Sequence, residues 1–162
     1  MSPSFPQNRQ SDGADDLHVA RHHLGSLAEG MGYSFTVTIT SELLDRFVAV
    51  SQDVSPLHVD RRFARGRGYP DRVVHGAFLA SLVSRLIGVH LPGENAIIHS
   101  ISMRFRKPVI VGDTIEVSGE VEQVSESTRT VVVKTWIEEM VTHTLCADGR
   151  VQVGLTEEQG RR

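Results

Sequence analysis

The stretch Val74-His75-Gly76-Ala77-Phe78-Leu79-Ala80-Ser81-Leu82-Val83-Ser84-Arg85-Leu86-Ile87-Gly88-Val89-His90 decides the fold. Phe78, Leu79, Leu82, Val83, Leu86, Ile87 and Val89 cover most of the circumference of a helix over residues 75–90. A helix that is apolar nearly all round is a buried one. It is too short to cross a bilayer, which takes about 20 apolar residues, and Arg85 interrupts it.

C-terminal to this helix, beyond Pro92-Gly93, the hydrophobic period changes to two. Ile97, His99, Ile101, Met103 and Phe105 alternate against Ile98, Ser100, Ser102, Arg104 and Arg106. Further strands are predicted over residues 114–124, 129–139 and 142–153, joined by short hairpins whose turns fall at Ser125-Glu126-Ser127 and residues 138–142. On the N-terminal side, residues 33–40 alternate as a half-buried strand. Ser41 is the expected cap of a helix carrying Leu43, Leu44, Phe47, Val48 and Val50. Pro56 ends that helix near Val54, because the residue before a proline is pushed out of the helical region. Asp60 is placed to cap a short helix over residues 61–65, before a loop with Gly66, Gly68 and Pro70. About five antiparallel strands need cover for their apolar face, and the buried helix is the only element able to supply it. The expected class is α+β, an antiparallel sheet wrapped around one long central helix.

The 162 residues suffice for one domain. It is expected over residues 30–154, between a flexible N-terminal extension over 1–29 and a polar tail over 155–162. Apolar residues make up 40% and charged residues 23%, a globular balance. The net charge of −3 argues against a nucleic-acid partner. The single cysteine, Cys146, closes no disulfide and no cysteine zinc site. Neither an export signal nor a membrane helix is read in the sequence, so the expected setting is the cytoplasm. The Gly-x-Ser-x-Gly elbow, the phosphate loop and the dinucleotide fingerprint are missing, which removes three large enzyme classes.

The chemistry-bearing segment is Asp53-Val54-Ser55-Pro56-Leu57-His58-Val59-Asp60. On one unbroken helix Asp53 and His58 would point about 140° apart. Pro56 breaks the helix between them, and a folded-back loop can bring carboxylate and imidazole to one point. Such a pair can move protons to and from water and carbon. The alternative is a polar contact at a helix end. Gly76 is the second piece: amides at a helix start are unpaired and electropositive, and a residue without a side chain lets a ligand approach its N–H. That amide can hold an oxyanion.

Asp53-Val54-Ser55-Pro56-Leu57-His58-Val59-Asp60, Val74-His75-Gly76, Phe105-Arg106-Lys107-Pro108-Val109 and Val111-Gly112-Asp113 together resemble the MaoC-like (R)-specific enoyl-CoA hydratases. The resemblance covers roughly residues 30–154. It implies a hot-dog fold, a homodimer, and sites for an acyl-CoA or acyl-carrier-protein thioester at the subunit interface. It implies no cofactor and no metal. Asp53 and His58 match the catalytic pair, and Gly76 the amide that binds the thioester oxygen. Ser84 matches a serine supporting the histidine, and Ile87 a position limiting acyl length. Ser55 and His75 flank the reacting groups and are expected near substrate. The implied reaction adds water to a 2-enoyl thioester, giving an (R)-3-hydroxyacyl thioester, or reverses that step. Two departures lie beside the reacting atoms: Gln52 stands where the family has glycine, and Ser55 where it has asparagine. The competing functions are a thioesterase of the same fold and a non-catalytic acyl-thioester-binding subunit.

Blander readings accompany several residues. Ser84 could be a small residue at a tight helix–sheet contact, and His75 could be structural. Arg61, Arg62, Arg65, Arg67 and Arg72 either meet phosphates of the carrier or form a solvated loop. His18 and His22, four apart with His23 beside them, would suit a metal only on a helix.

Overall fold

A computed structural model describes residues 18–156. The first 17 residues of the expected N-terminal extension and the end of the polar C-terminal tail lie outside the described residues. In chain order the elements are β1 (Gly32–Thr38), α1 (Ser41–Ser51), α2 (Pro56–Val59), α3 (Arg61–Gly66), α4 (Gly76–Arg85), β2 (Ala96–Phe105), β3 (Thr114–Ser125), β4 (Thr130–Glu139) and β5 (Thr144–Leu155). The five strands form one antiparallel sheet in the order β1-β3-β4-β5-β2. It curls around α4, as the length and apolarity of that helix require.

Phe78, Leu79, Leu82 and Val83 of α4 are buried in one cluster with Val117, Val121, Val131, Val133, Val151 and Val153 of the sheet. Gly119 on β3 lets the helix come close, since a Cβ there would lie 2.5 Å from Leu86 Cδ2. Arg85, the charge inside the apolar run, is accommodated by laying its guanidinium 4.2 Å over the ring of Phe35.

The structure corrects several sequence expectations. The central helix is not α-helical to its end: over Leu86–His90 it widens into a π-type turn. The cap of α1 is Thr40, whose hydroxyl accepts from the Leu43 amide at 3.1 Å, and Ser41 is already helical. That helix stops at Ser51, with Gln52 left-handed at φ 57°. Val50 faces solvent rather than joining the apolar stripe. In β2 the register shifts between Ile98 and Ser100, so Ile98 and Met103, of opposite parity, both pack on the core. Ile97, Ile101 and Phe105 remain exposed, at 54%, 38% and 54%. The last strand runs two residues beyond its predicted end, to Leu155.

Residues 18–31 are pinned rather than loose. The Ala20 amide donates to the Val89 carbonyl at 2.7 Å, Arg21 bridges Gly93, and Leu27 is buried. His18 and His22 are therefore not on a helix. With Glu29, Tyr33 and His90 they line a cleft of about 610 Å3 at the C-terminal end of the central helix.

Candidate active site

Three short elements meet where the sequence placed the chemistry. Pro56 opens α2 and removes an amide that would have been unpaired in any case. Asp60 then caps α3, accepting from the amides of Arg62 at 2.7 Å and Phe63 at 3.1 Å. The segment before α4 is held on both sides. Val74 N–H donates to the Val109 carbonyl at 2.8 Å, and Val73 N–H to the Leu57 carbonyl at 3.1 Å. The turn carrying His58 is thereby tied to the strand that leads into Gly76.

His58 donates from Nδ1 to the Val73 carbonyl at 2.7 Å. A carbonyl only accepts, so the hydrogen sits on Nδ1 and the lone pair on Nε2. Asp53 is half exposed, with its side chain at 51%. Its Oδ1 accepts from the Ser55 amide at 3.1 Å, which fixes the carboxylate against its own loop. His75 lies behind both. It is 2% exposed, its Nε2 donates to the Asp53 backbone carbonyl at 3.1 Å, and its ring stacks on His58. The Asp53 carboxylate and nitrogens of His58 and His75 lie within 4.8 Å of one another. One water can bridge a gap of that size. With its hydrogen on Nε2, His75 keeps a lone pair only on Nδ1.

The Gly76 amide opens α4 and makes no hydrogen bond within the described chain. A groove of about 330 Å3 runs beside it, lined by Val73, Leu79, Phe105, Lys107 and Pro108 among others. A Cβ on Gly76 would stand 3.0 Å from two carbons of the Phe105 ring, so a side chain there would press on that ring.

The other expected residues fare differently. Ser55 takes part through its backbone amide. Ser84 is exposed and makes no hydrogen bond to His58; it sits eight residues beyond Gly76, about 12 Å along the helix. The Val73 carbonyl does the work expected of it. Ile87 is fully buried in the core. His75, expected near substrate, is buried behind the pair and bonded to the Asp53 backbone. The Val73 carbonyl was invisible to sequence reasoning, since a backbone acceptor leaves no mark in residue type. Of the arginines, Arg61 pairs with Asp71 at 2.7 Å and Arg72 with Asp45 at 2.7 Å.

A central helix wrapped by a curled five-stranded antiparallel sheet defines the hot-dog fold. Within that fold the chain matches the MaoC like domain over residues 26–143 and belongs to that family. It is 34% identical over 102 residues to an (R)-specific enoyl-CoA hydratase of Rhodospirillum rubrum, covering 63% of this chain and 69% of the relative. It is 41% identical over 80 residues to a mitochondrial 3-hydroxyacyl-[acyl-carrier-protein] dehydratase of Arabidopsis thaliana, covering 49% of this chain and only 47% of that relative. The solved (R)-hydratase of Aeromonas caviae superposes with a TM-score of 0.77 at 33% identity, over 81% of this chain and 98% of that one. No described helix is long and apolar enough to cross a membrane.

Proposed function

We propose that this protein is a hydro-lyase that adds water to a 2-enoyl thioester to give an (R)-3-hydroxyacyl thioester, or removes it again. The reading rests chiefly on one observation: a nitrogen of His58 and the Asp53 carboxylate lie within 4.8 Å of each other, a span that one water can bridge, and the Val73 carbonyl on Nδ1 leaves Nε2 as the nitrogen able to take a proton.

The thioester carbonyl docks on the Gly76 amide. Water lies between Asp53 and His58 and attacks the β-carbon as His58 Nε2 takes its proton. The Val73 carbonyl, already on Nδ1, stabilises the imidazolium that forms, and Asp53 opposes its charge. The electron pair of the double bond moves to the α-carbon and thioester oxygen, where the Gly76 amide and the α4 dipole hold the enolate. His58 returns the proton to the α-carbon on the same face, which balances the addition.

The working unit in this reading is a homodimer. β2 is an edge strand on which Ile97, Ile101 and Phe105 are exposed. An apolar exposed edge invites pairing with another strand. A second copy laid against β2 would cover it, beside the groove at Gly76.

The deciding experiment mixes the protein with crotonyl-CoA and follows both the conjugated thioester's ultraviolet absorbance and free thiol. Absorbance loss without thiol release, reduced about 10²–10⁴-fold in Asp53→Asn and in His58→Ala, supports the hydratase. Thiol release would make the protein a thioesterase, and tight binding without turnover a binding subunit.

A further inference from the structure

Residues 60–72, which begin two positions after His58, carry five arginines and two aspartates. This is a surplus of three positive charges in a chain of net charge −3, so the rest of the chain stands at −6. The internal partners are few. Asp71 pairs with Arg61, Asp45 with Arg72, and the Asp60 carboxylate is occupied capping α3. Among the described residues Arg62, Arg65 and Arg67 form no close ion pair; Arg65 adds only a weaker, longer-range attraction on Asp71, whose close partner is Arg61. Arg65 Nε donates to the Pro70 carbonyl at 3.1 Å, and the Arg67 guanidinium lies 5.0 Å over the Phe63 ring. Phe63 is itself 38% exposed, and Val59 beside the catalytic turn is exposed as well.

We propose that the exposed face of α3, with Arg62, Arg65 and Arg67 around Phe63, docks an acidic acyl-carrier protein that presents the thioester to the neighbouring site. The proposal rests on the hydratase reading and names its substrate carrier. The make-up of the surface chooses between carriers. A nucleotide's phosphates need donors converging on a concavity, and these arginines line neither the groove at Gly76 nor the cleft at the end of the central helix. An exposed basic surface with an apolar residue among its charges fits instead a protein whose own face is acidic with apolar contacts. An otherwise acidic enzyme would repel such a carrier, and a local positive patch beside the entrance steers it.

The test compares one four-carbon 2-enoyl group on CoA and on an acidic carrier protein, in the wild type and in the Arg62→Glu/Arg65→Glu variant. The expected result is a fall of about tenfold or more in kcat/KM for the carrier substrate, through KM, with the CoA substrate within about twofold. Equal losses on both substrates, or none on the carrier, overturn the proposal. So does a changed oligomeric state in the variant, which would assign the surface to a subunit contact. Titration of fluorescently labelled carrier without an acyl group separates the two readings. If the wild type turns over neither thioester, the hydratase reading fails, while carrier binding that the variant loses still upholds the surface.

Discussion

The rings of His58 and His75 lie face to face, with centroids 3.8 Å apart and planes 27° from parallel. Through the same ring His75 reaches the Asp53 carbonyl, so one buried side chain sets both members of the pair. Its Nδ1 is buried without a hydrogen-bond partner, and Phe47 closes the site at a centroid distance of 5.1 Å. Two substitutions divide these roles. His75→Phe keeps a stacking ring and loses the bond to Asp53, whereas His75→Gln can keep the bond and loses the stack. Each is expected to lower kcat by about 10–100-fold with KM little changed, the scale on which small misplacements of reacting groups act. A loss confined to thermal stability, with kcat intact, would leave His75 a plain core residue.

Gly119 sets how closely the sheet can wrap the helix. In Gly119→Ala the new methyl group would meet Leu86 Cδ2 at 2.5 Å and Val133 Cγ1 at 3.1 Å. Leu86 can yield only by leaving a position that is fully buried. The expected loss is about 1–3 kcal/mol, the range for overpacking a filled core, read as a lower midpoint in denaturant at constant slope. An Ala variant of wild-type stability would mean that the π-type turn at Leu86–His90 absorbs the methyl group.

Much of this was legible in the sequence for a physical reason. The alternation of β3, β4 and β5, and the all-round apolarity of α4, are direct consequences of burial. That Asp53 and His58 come together was legible because Pro56 breaks the helix between them. The parts missed are those decided by tertiary contact. The bulge after Ile98 reverses which face of β2 is buried, while the residue alternation reads straight through it. The capping role passed from Ser41 to Thr40, two residues whose hydroxyls are chemically alike. Ser84 looked like a partner for His58 in one dimension, whereas the partner in space is the carbonyl of Val73.

Gln52 stands at φ 57° and ψ 16°, the left-handed geometry that ends helices and favours glycine. The family's glycine before the catalytic aspartate is explained by that backbone position. Here the side chain partly compensates, donating from Nε2 to the Ala49 carbonyl at 2.8 Å. Gln52→Gly should therefore raise stability only modestly, by about 0.5–1 kcal/mol. Gln52→Val, whose branched Cβ suits that region badly, should destabilise and disturb Asp53, lowering kcat as well. Equal midpoints for glycine and valine in a denaturant titration would show that the loop relaxes out of the left-handed region.

Two exposed ion pairs are expected to contribute to the acid limb of stability. Asp148 is held below the usual carboxylate range first by its hydrogen bonds from Arg106, and Glu122 likewise by those from Arg150. A depressed folded pKa stabilises above the unfolded value, about 4, and that contribution is lost as pH falls through the folded value. Asp113 runs the other way. Burial raises its pKa first, with Glu139 adding to the rise, against the Ile110 amide. Its contribution is present below the unfolded value and is lost as pH rises through the folded one. Asp148→Asn and Glu122→Gln should flatten the fall in denaturant midpoint below about pH 4. Asp113→Asn, which can still accept from the Ile110 amide, should raise the midpoint at pH 7 relative to pH 4. If the acid limb keeps its slope in the Asp148→Asn/Glu122→Gln double variant, these pairs are too well screened by solvent to govern it.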